Sequence, residues 1–147
     1  MGQKLSFPSK AENLNQVEVL INEVCKGFEV SEDYYGNILI ALTEAVNNAI
    51  HHGNKSNPNK EVRISFDTEG SILKFTIEDD GPGFDFDNLP DPTDPQNIEK
   101  PHGRGVFLMR NLADNIEFDN DGATVTMSFN LDDELLKEVQ KEKEEEA

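Results

Sequence analysis

The segment LTEAVNNAIHHGN, residues 42–54, carries Glu44, Asn47, Asn48, His51 and His52 at helical spacing, so these side chains form one polar stripe along a helix. Asn and His are mediocre helix formers, and a face serving only solubility is more readily built from Glu, Lys, Gln or Arg. Glu44 and Asn48 lie one turn apart and address the same small volume. An amide oxygen suits a hard cation such as Mg²⁺, which takes one or two protein ligands when phosphates and water supply the rest. A carboxylate one turn earlier can take a proton from an attacking hydroxyl or water. Taken alone, the stripe also reads as an ordinary polar helix face. The histidines do not make a zinc site: adjacent helical positions point about 100° apart, and neither a Cys nor a further His is placed to complete the ligands. His52, beside Gly53, is expected to cap the helix end or to pack beneath the site.

Two further motifs follow along the chain. EDDGPGFD, residues 78–85, comes straight after a predicted strand. Its glycines, Gly81 and Gly83, let the backbone approach a flat ligand closely, and Asp79 can accept a hydrogen bond from an exocyclic amine such as that of adenine. By itself the motif is also a plain Asp-Gly turn. HGRGVFLM, residues 102–109, reads as a glycine turn entering a helix. Free backbone N–H groups there, with Arg104 between Gly103 and Gly105, suit a phosphate. A lone Gly-x-Gly is weak evidence, and neither a P-loop nor the Rossmann glycine pattern is present.

Periodicity supplies the elements that must hold these motifs. KLSFPS, residues 4–9, is extended; Leu14, Val17, Leu20, Ile21 and Val24 make residues 10–27 an amphipathic helix ending near Gly27. Ser31 can cap a second helix whose buried stripe is Tyr34, Ile38, Ala41, Leu42, Ala45 and Ala49, with Gly53 at the C-cap position. Alternation of Val62, Ile64 and Phe66, then of Ile72 or Leu73 with Phe75 and Ile77, describes a hairpin turning near Glu69 and Gly70. Residues 84–102 lack periodicity and contain Pro90, Pro92, Pro95 and Pro101; a loop this long is expected to be a lid over a site or a disordered segment. A short helix and a last hairpin turning at Asp121 and Gly122 complete the order. Helices on one face of a mostly antiparallel sheet follow, an α+β two-layer sandwich.

The chain has 147 residues, the length of one domain, with residues 1–131 carrying the motifs and 132–147 forming an acidic tail read as solvated. A formal net charge of −17 argues against direct contact with nucleic acid and favours a basic protein partner. No apolar run is long enough to cross a bilayer and no signal-peptide pattern opens the chain. A single cysteine, Cys25, fits a reducing compartment, so a cytoplasmic location is expected.

The joint occurrence of these motifs, in this order, resembles the GHKL ATPase superfamily with its Bergerat ATP-binding fold. Glu44 to Gly53 looks like its N box, Asp79 to Gly83 its G1 box and Gly103 to Gly105 its G2 box. EAVNNAIHHG is similar to the anti-sigma factor and serine-protein kinase family of bacterial partner-switching modules. The resemblance implies ATP and Mg²⁺ as cofactors, with Glu44 as general base and Asn48 as the Mg²⁺ ligand. It implies Asp79 as the adenine contact, and Gly81, Gly83, Gly103, Arg104 and Gly105 as the nucleotide cradle. It further implies binding of a sigma factor and phosphorylation of a serine on a STAS-type antagonist. The amphipathic first helix and its preceding strand are compatible with a homodimer surface. Two alternatives stay open at this point: a catalytically silent ATP-binding switch that sequesters a partner, and a detached histidine-kinase catalytic domain.

Overall fold

The computed structural model describes residues 3–28, 30–83 and 101–131, with the backbone alone over 101–105. The expected lid, with Asp85, Asp87, Asp91 and Asp94, falls almost wholly outside these residues, as does the acidic tail.

Five strands form one sheet in the order β1-β2-β3-β5-β4: β1 Gln3–Pro8, β2 Glu61–Glu69, β3 Ile72–Glu78, β4 Asn115–Asp119 and β5 Thr124–Asn130. Every pairing is antiparallel. The register aligns Leu5, Ile64, Ile77, Val125 and Phe118 in one row across the sheet, with Phe66, Phe75, Met127 and Ile116 in another. Both rows face the helices, which is the physical content of the period-two pattern. The opposite face is polar, with Thr76 and Thr126 sharing a 3.2 Å hydrogen bond.

Among the described residues, three helices cover the apolar face: α1 Leu14–Gly27, α2 Glu32–Asn48 and α3 Pro101–Leu112. In α1, Val17, Leu20, Ile21, Val24 and Cys25 are buried along one stripe, and Phe28 at its end meets the Phe66 ring edge-on with centroids 6.1 Å apart. Ser31 caps α2, its Oγ accepting from the Tyr34 N–H at 3.4 Å. Ile38, Ala41, Leu42, Ala45 and Val46 are its buried side. The α+β two-layer architecture expected from periodicity is the one observed, and the sheet is wholly antiparallel.

Two helix ends differ from the sequence reading. After Asn48 the second helix widens into a π-helical turn, Ala49–Gly53, closed by an Asn54 N–H bond to the Ala49 carbonyl at 2.8 Å. Gly53 is therefore not a left-handed cap; its φ is not among the positive ones. The third helix begins at Pro101, so Gly103 and Gly105 lie inside its opening turns rather than ahead of them. Left-handed backbone occurs in the β4–β5 turn, at Asn120, Asp121 and Gly122, and also at Lys55, Ser56, Gly70 and Gly83.

Cys25 is a core residue, and burial pushes its thiol up to about 11. Since the thiolate is the reactive form, we expect the native protein at pH 8 to react with a disulfide reagent about a hundredfold more slowly than the urea-unfolded chain. Equal rates, followed by absorbance of the released thiolate, would contradict this burial.

Candidate functional site

Where α2 and its π turn pass over the sheet they leave a cleft of about 440 Å³, partly open to solvent. Its helix wall is Ala45, Asn48, Ala49, His52 and Gly53, its floor Ile77 and Val125, and its far side Met109, Phe118, Gly122 and Ala123, with Asp79 and Gly83 at the strand end. The alanines make the space, because larger side chains at those two positions would fill it. An apolar cavity with a few convergent polar groups is how small-molecule sites are built.

The Asp79 carboxylate is held from several directions. Its Oδ1 accepts the Gly81 N–H at 2.8 Å, and its own N–H donates to the Ala123 carbonyl at 3.0 Å. A Cβ at Gly53 would overlap the Asp79 carboxyl group, and one at Gly81 would overlap the Gly53 carbonyl. Gly83, at φ +84°, lies so close to the Asp121 carbonyl that no side chain fits. Gly53 is thus required by close approach, not by helix termination. Burial raises the Asp79 pKa above the ordinary carboxylate value, with Asp80 adding to the rise and the Gly81 N–H, Arg63 and Lys60 opposing it.

The neighbouring Asp80 has the opposite environment. Exposed on the polar side, it accepts from Arg63 Nη1 at 3.0 Å and from the Glu61 N–H at 3.2 Å. The Arg63 hydrogen bond is the main reason its pKa lies below the ordinary value. Adjacent in sequence, one aspartate points its charge into the cleft and the other ties down the turn.

Asn48 lies in the cleft wall with its Nδ2 buried and without a hydrogen-bond partner among the described residues. A buried unpartnered amide in a native protein needs an explanation, of which a bound ion or ligand is one, and a 180° flip presents either its oxygen or its nitrogen. Together with the glycine-lined Asp79 turn, this donor set fits a nucleotide with its metal. The polar stripe is rotated from expectation: Ala45, Asn48, Ala49, His52 and Gly53 face the cleft, whereas Glu44, Asn47 and His51 are not among the lining residues. Glu44 is half-buried one turn before Asn48, and His51 is exposed, its Nδ1 sharing a 3.0 Å hydrogen bond with Ser56 Oγ. His52 packs in the cleft, one of the two roles expected of it.

Gly81 supports the cleft through its N–H rather than lining it, and Gly103, Arg104 and Gly105 occupy the opening turns of α3. The lining residues that sequence reasoning missed, Ile77, Met109, Phe118 and Val125, carried only the signal of core positions. Asn54 was missed as well. It is fully buried, its Nδ2 donating to Ser9 Oγ at 2.7 Å and to the Glu61 carbonyl at 3.0 Å, and its Oδ1 accepting the Asp80 N–H at 2.7 Å.

A family model described as the histidine kinase-like ATPase domain matches residues 7–129, which contain every element around the cleft. The chain belongs to this family. Relatives of this histidine kinase-like ATPase domain include the serine-protein kinase RsbW of Bacillus cereus, 30% identical over 132 residues that cover 85% of this chain and 82% of the relative. The serine-protein kinase RsbW of Oceanobacillus iheyensis is 26% identical over 132 residues, 85% of this chain and 84% of its own. Among solved structures, the RsbU and RsbW domains of Rv1364c from Mycobacterium tuberculosis share the fold at a TM-score of 0.64 and 13% identity. That match covers 88% of this chain and 32% of the longer one. The GHKL likeness read from the three motifs is the family found.

A raised carboxylate pKa has a thermodynamic sign. Below the ordinary carboxylate range Asp79 is protonated both folded and unfolded; above its raised folded value it is ionised in both, and the folded state carries the full desolvation cost. Stability is therefore lost as pH rises through that window. We expect Asp79→Asn to raise the melting temperature of the ligand-free protein at pH 7, with the gain shrinking as pH is lowered towards 4. Calorimetry showing no gain at neutral pH would contradict the burial of this charge.

Proposed function

We propose that this chain is an ATP-dependent protein serine kinase that also acts as an anti-sigma regulatory factor. In this reading it binds a sigma factor and phosphorylates a serine of a STAS-type antagonist in the cytoplasm. The observation that carries the nucleotide half is the Asp79 carboxylate, seated between glycines in an apolar cleft whose wall holds the orphan Asn48 amide. The relatives' printed name, serine-protein kinase, supports the phosphoryl-acceptor half.

Asp79 accepts the adenine amine, and Ile77, Val125, Met109 and Phe118 exclude water from the base. Asn48 offers its amide oxygen to Mg²⁺, which when bound neutralises charge on the phosphates. The N-terminal end of a helix favours an anion, so Gly103, Arg104 and Gly105, in the opening turns of α3, are read as the cradle for the phosphates. Gly81 and Gly83 keep the strand end open to the ligand.

Glu44 lies outside the base-binding cleft, as a general base for the terminal phosphate must. It precedes Gly53 by nine residues, roughly 13 Å along a helix axis, so in this reading the reacting phosphate lies further back along α2 than the adenine base. The acceptor serine oxygen forms a bond to the γ-phosphorus, Glu44 takes the hydroxyl proton, and the bond to the β-phosphate oxygen breaks to release ADP. With no described helix long and apolar enough to cross a membrane, nothing in the described residues opposes this location.

Incubation with labelled ATP, Mg²⁺ and STAS-type proteins should yield acid-stable phosphoserine. Glu44→Gln should lower transfer by about 10²- to 10⁴-fold with ATP affinity unchanged, whereas Asp79→Asn should weaken ATP binding itself. ATP binding with no transfer to any such protein would leave only the sequestering switch, and acid-labile phosphate would identify a histidine kinase.

A further inference from the structure

Recognition of a purine amine by one carboxylate requires that the carboxylate point in a fixed direction, and Asp79 sits on a turn, where its Oδ1 accepts the Gly81 N–H and its own N–H donates to the Ala123 carbonyl. Its φ is constrained by the N–H bond to Ala123. Its ψ sets the plane of the peptide joining it to Asp80, and the N–H of that peptide donates to Asn54 Oδ1 at 2.7 Å. Asn54 cannot rotate to follow a drifting turn. Its Nδ2 is spent on Ser9 Oγ and the Glu61 carbonyl, its backbone N–H on Ala49, and it has no exposed surface. Ser9 in turn is nearly fully buried and is anchored on the Lys60 carbonyl through both its N–H and its Oγ, at 3.0 and 2.7 Å.

We propose that Asn54 is a positioning residue for purine selection: with Ser9 behind it, it aims the Asp79 carboxylate at the exocyclic amine without touching the nucleotide. This rests on the reading of Asp79 as the adenine contact. An asparagine suits the position because one planar group must accept on one side and donate twice on the other, which neither a carboxylate nor a hydroxyl can do. Neither Asn54 nor Ser9 lines the cleft, so their effect on selectivity must pass through the Asp79 turn.

The test is equilibrium binding of ATP and of ITP, which carries an oxygen in place of the amine, to the full chain with Mg²⁺. A hydrogen bond to a charged group corresponds to a preference for ATP of about 10- to 100-fold in the wild type. Asp79→Asn should abolish or reverse it. Asn54→Ala should cut the preference about tenfold while changing ITP affinity by less than about threefold, with the far-ultraviolet dichroism unchanged. If Asn54→Ala does not fold, Ser9→Ala decides, with a drop in the same ratio of about two- to threefold expected. A residue that only holds the fold together would weaken both nucleotides alike. Equal losses for ATP and ITP in these variants, or an unchanged ratio, beside a collapsed ratio in Asp79→Asn, overturn the role of Asn54 alone. A wild type without preference, or one kept by Asp79→Asn, overturns the Asp79 reading and this proposal with it.

Discussion

The buried carboxamide of Asn54, at the end of the π turn that follows α2, binds three other segments of chain behind the cleft: the end of β1, the start of β2 and the turn after β3. They bring the Ser9 hydroxyl, the Glu61 carbonyl and the Asp80 N–H to one amide. A single side chain satisfies them, and in doing so sets how α2 crosses the sheet edge. The depth of the cleft, the contact of Gly53 with Asp79 and the place of Asn48 in the wall all depend on that crossing.

The same region keeps two groups in states that oppose stability. Asp79 holds a charge that burial disfavours, and Asn48 leaves a polar nitrogen unsatisfied. Both are offset nearby by apolar packing: Ile38, Leu42, Val46 and Ile50 on the helix side, with Phe75, Ile77, Met127 and Phe129 on the sheet, are buried in one continuous core. A site that binds a charged, hydrogen-bonding ligand is expected to be poorly satisfied without it, because the ligand supplies the missing partners. The π turn at Ala49–Gly53 belongs to the same compromise. By widening the last turn it brings His52 and Gly53 over the strand end, where an ordinary helical turn would have set them differently.

Elements with a strong period were legible in the sequence. Val62, Ile64 and Phe66 alternate because one face of the sheet is covered and the other is not, and Ser31 could be read as a cap because its hydroxyl acts locally. The three motif clusters were also visible, since glycine and paired polar residues stand out against a core pattern. Three things were misjudged or missed. Gly53 reads locally as a helix terminator, whereas its role is to admit the carboxylate of Asp79, 26 residues further on. The polar stripe was placed one residue off, because alanines that look like core are also what opens a cleft. Asn54 looked like a loop residue, since no local pattern distinguishes a buried amide from a solvated one.

The sequence by itself determined the layer architecture, the turns at Gly70 and Asp121–Gly122, and the motif clusters that gather around the cleft, because these depend on interactions within a few residues. Only the tertiary structure shows how two adjacent aspartates come to have opposite environments. Asp80 is paired with Arg63 across a hairpin on the polar side, and Asp79 is turned inward under Gly53. The difference rests on contacts between segments far apart in the chain, where burial and hydrogen bonding act at a distance that no local pattern records.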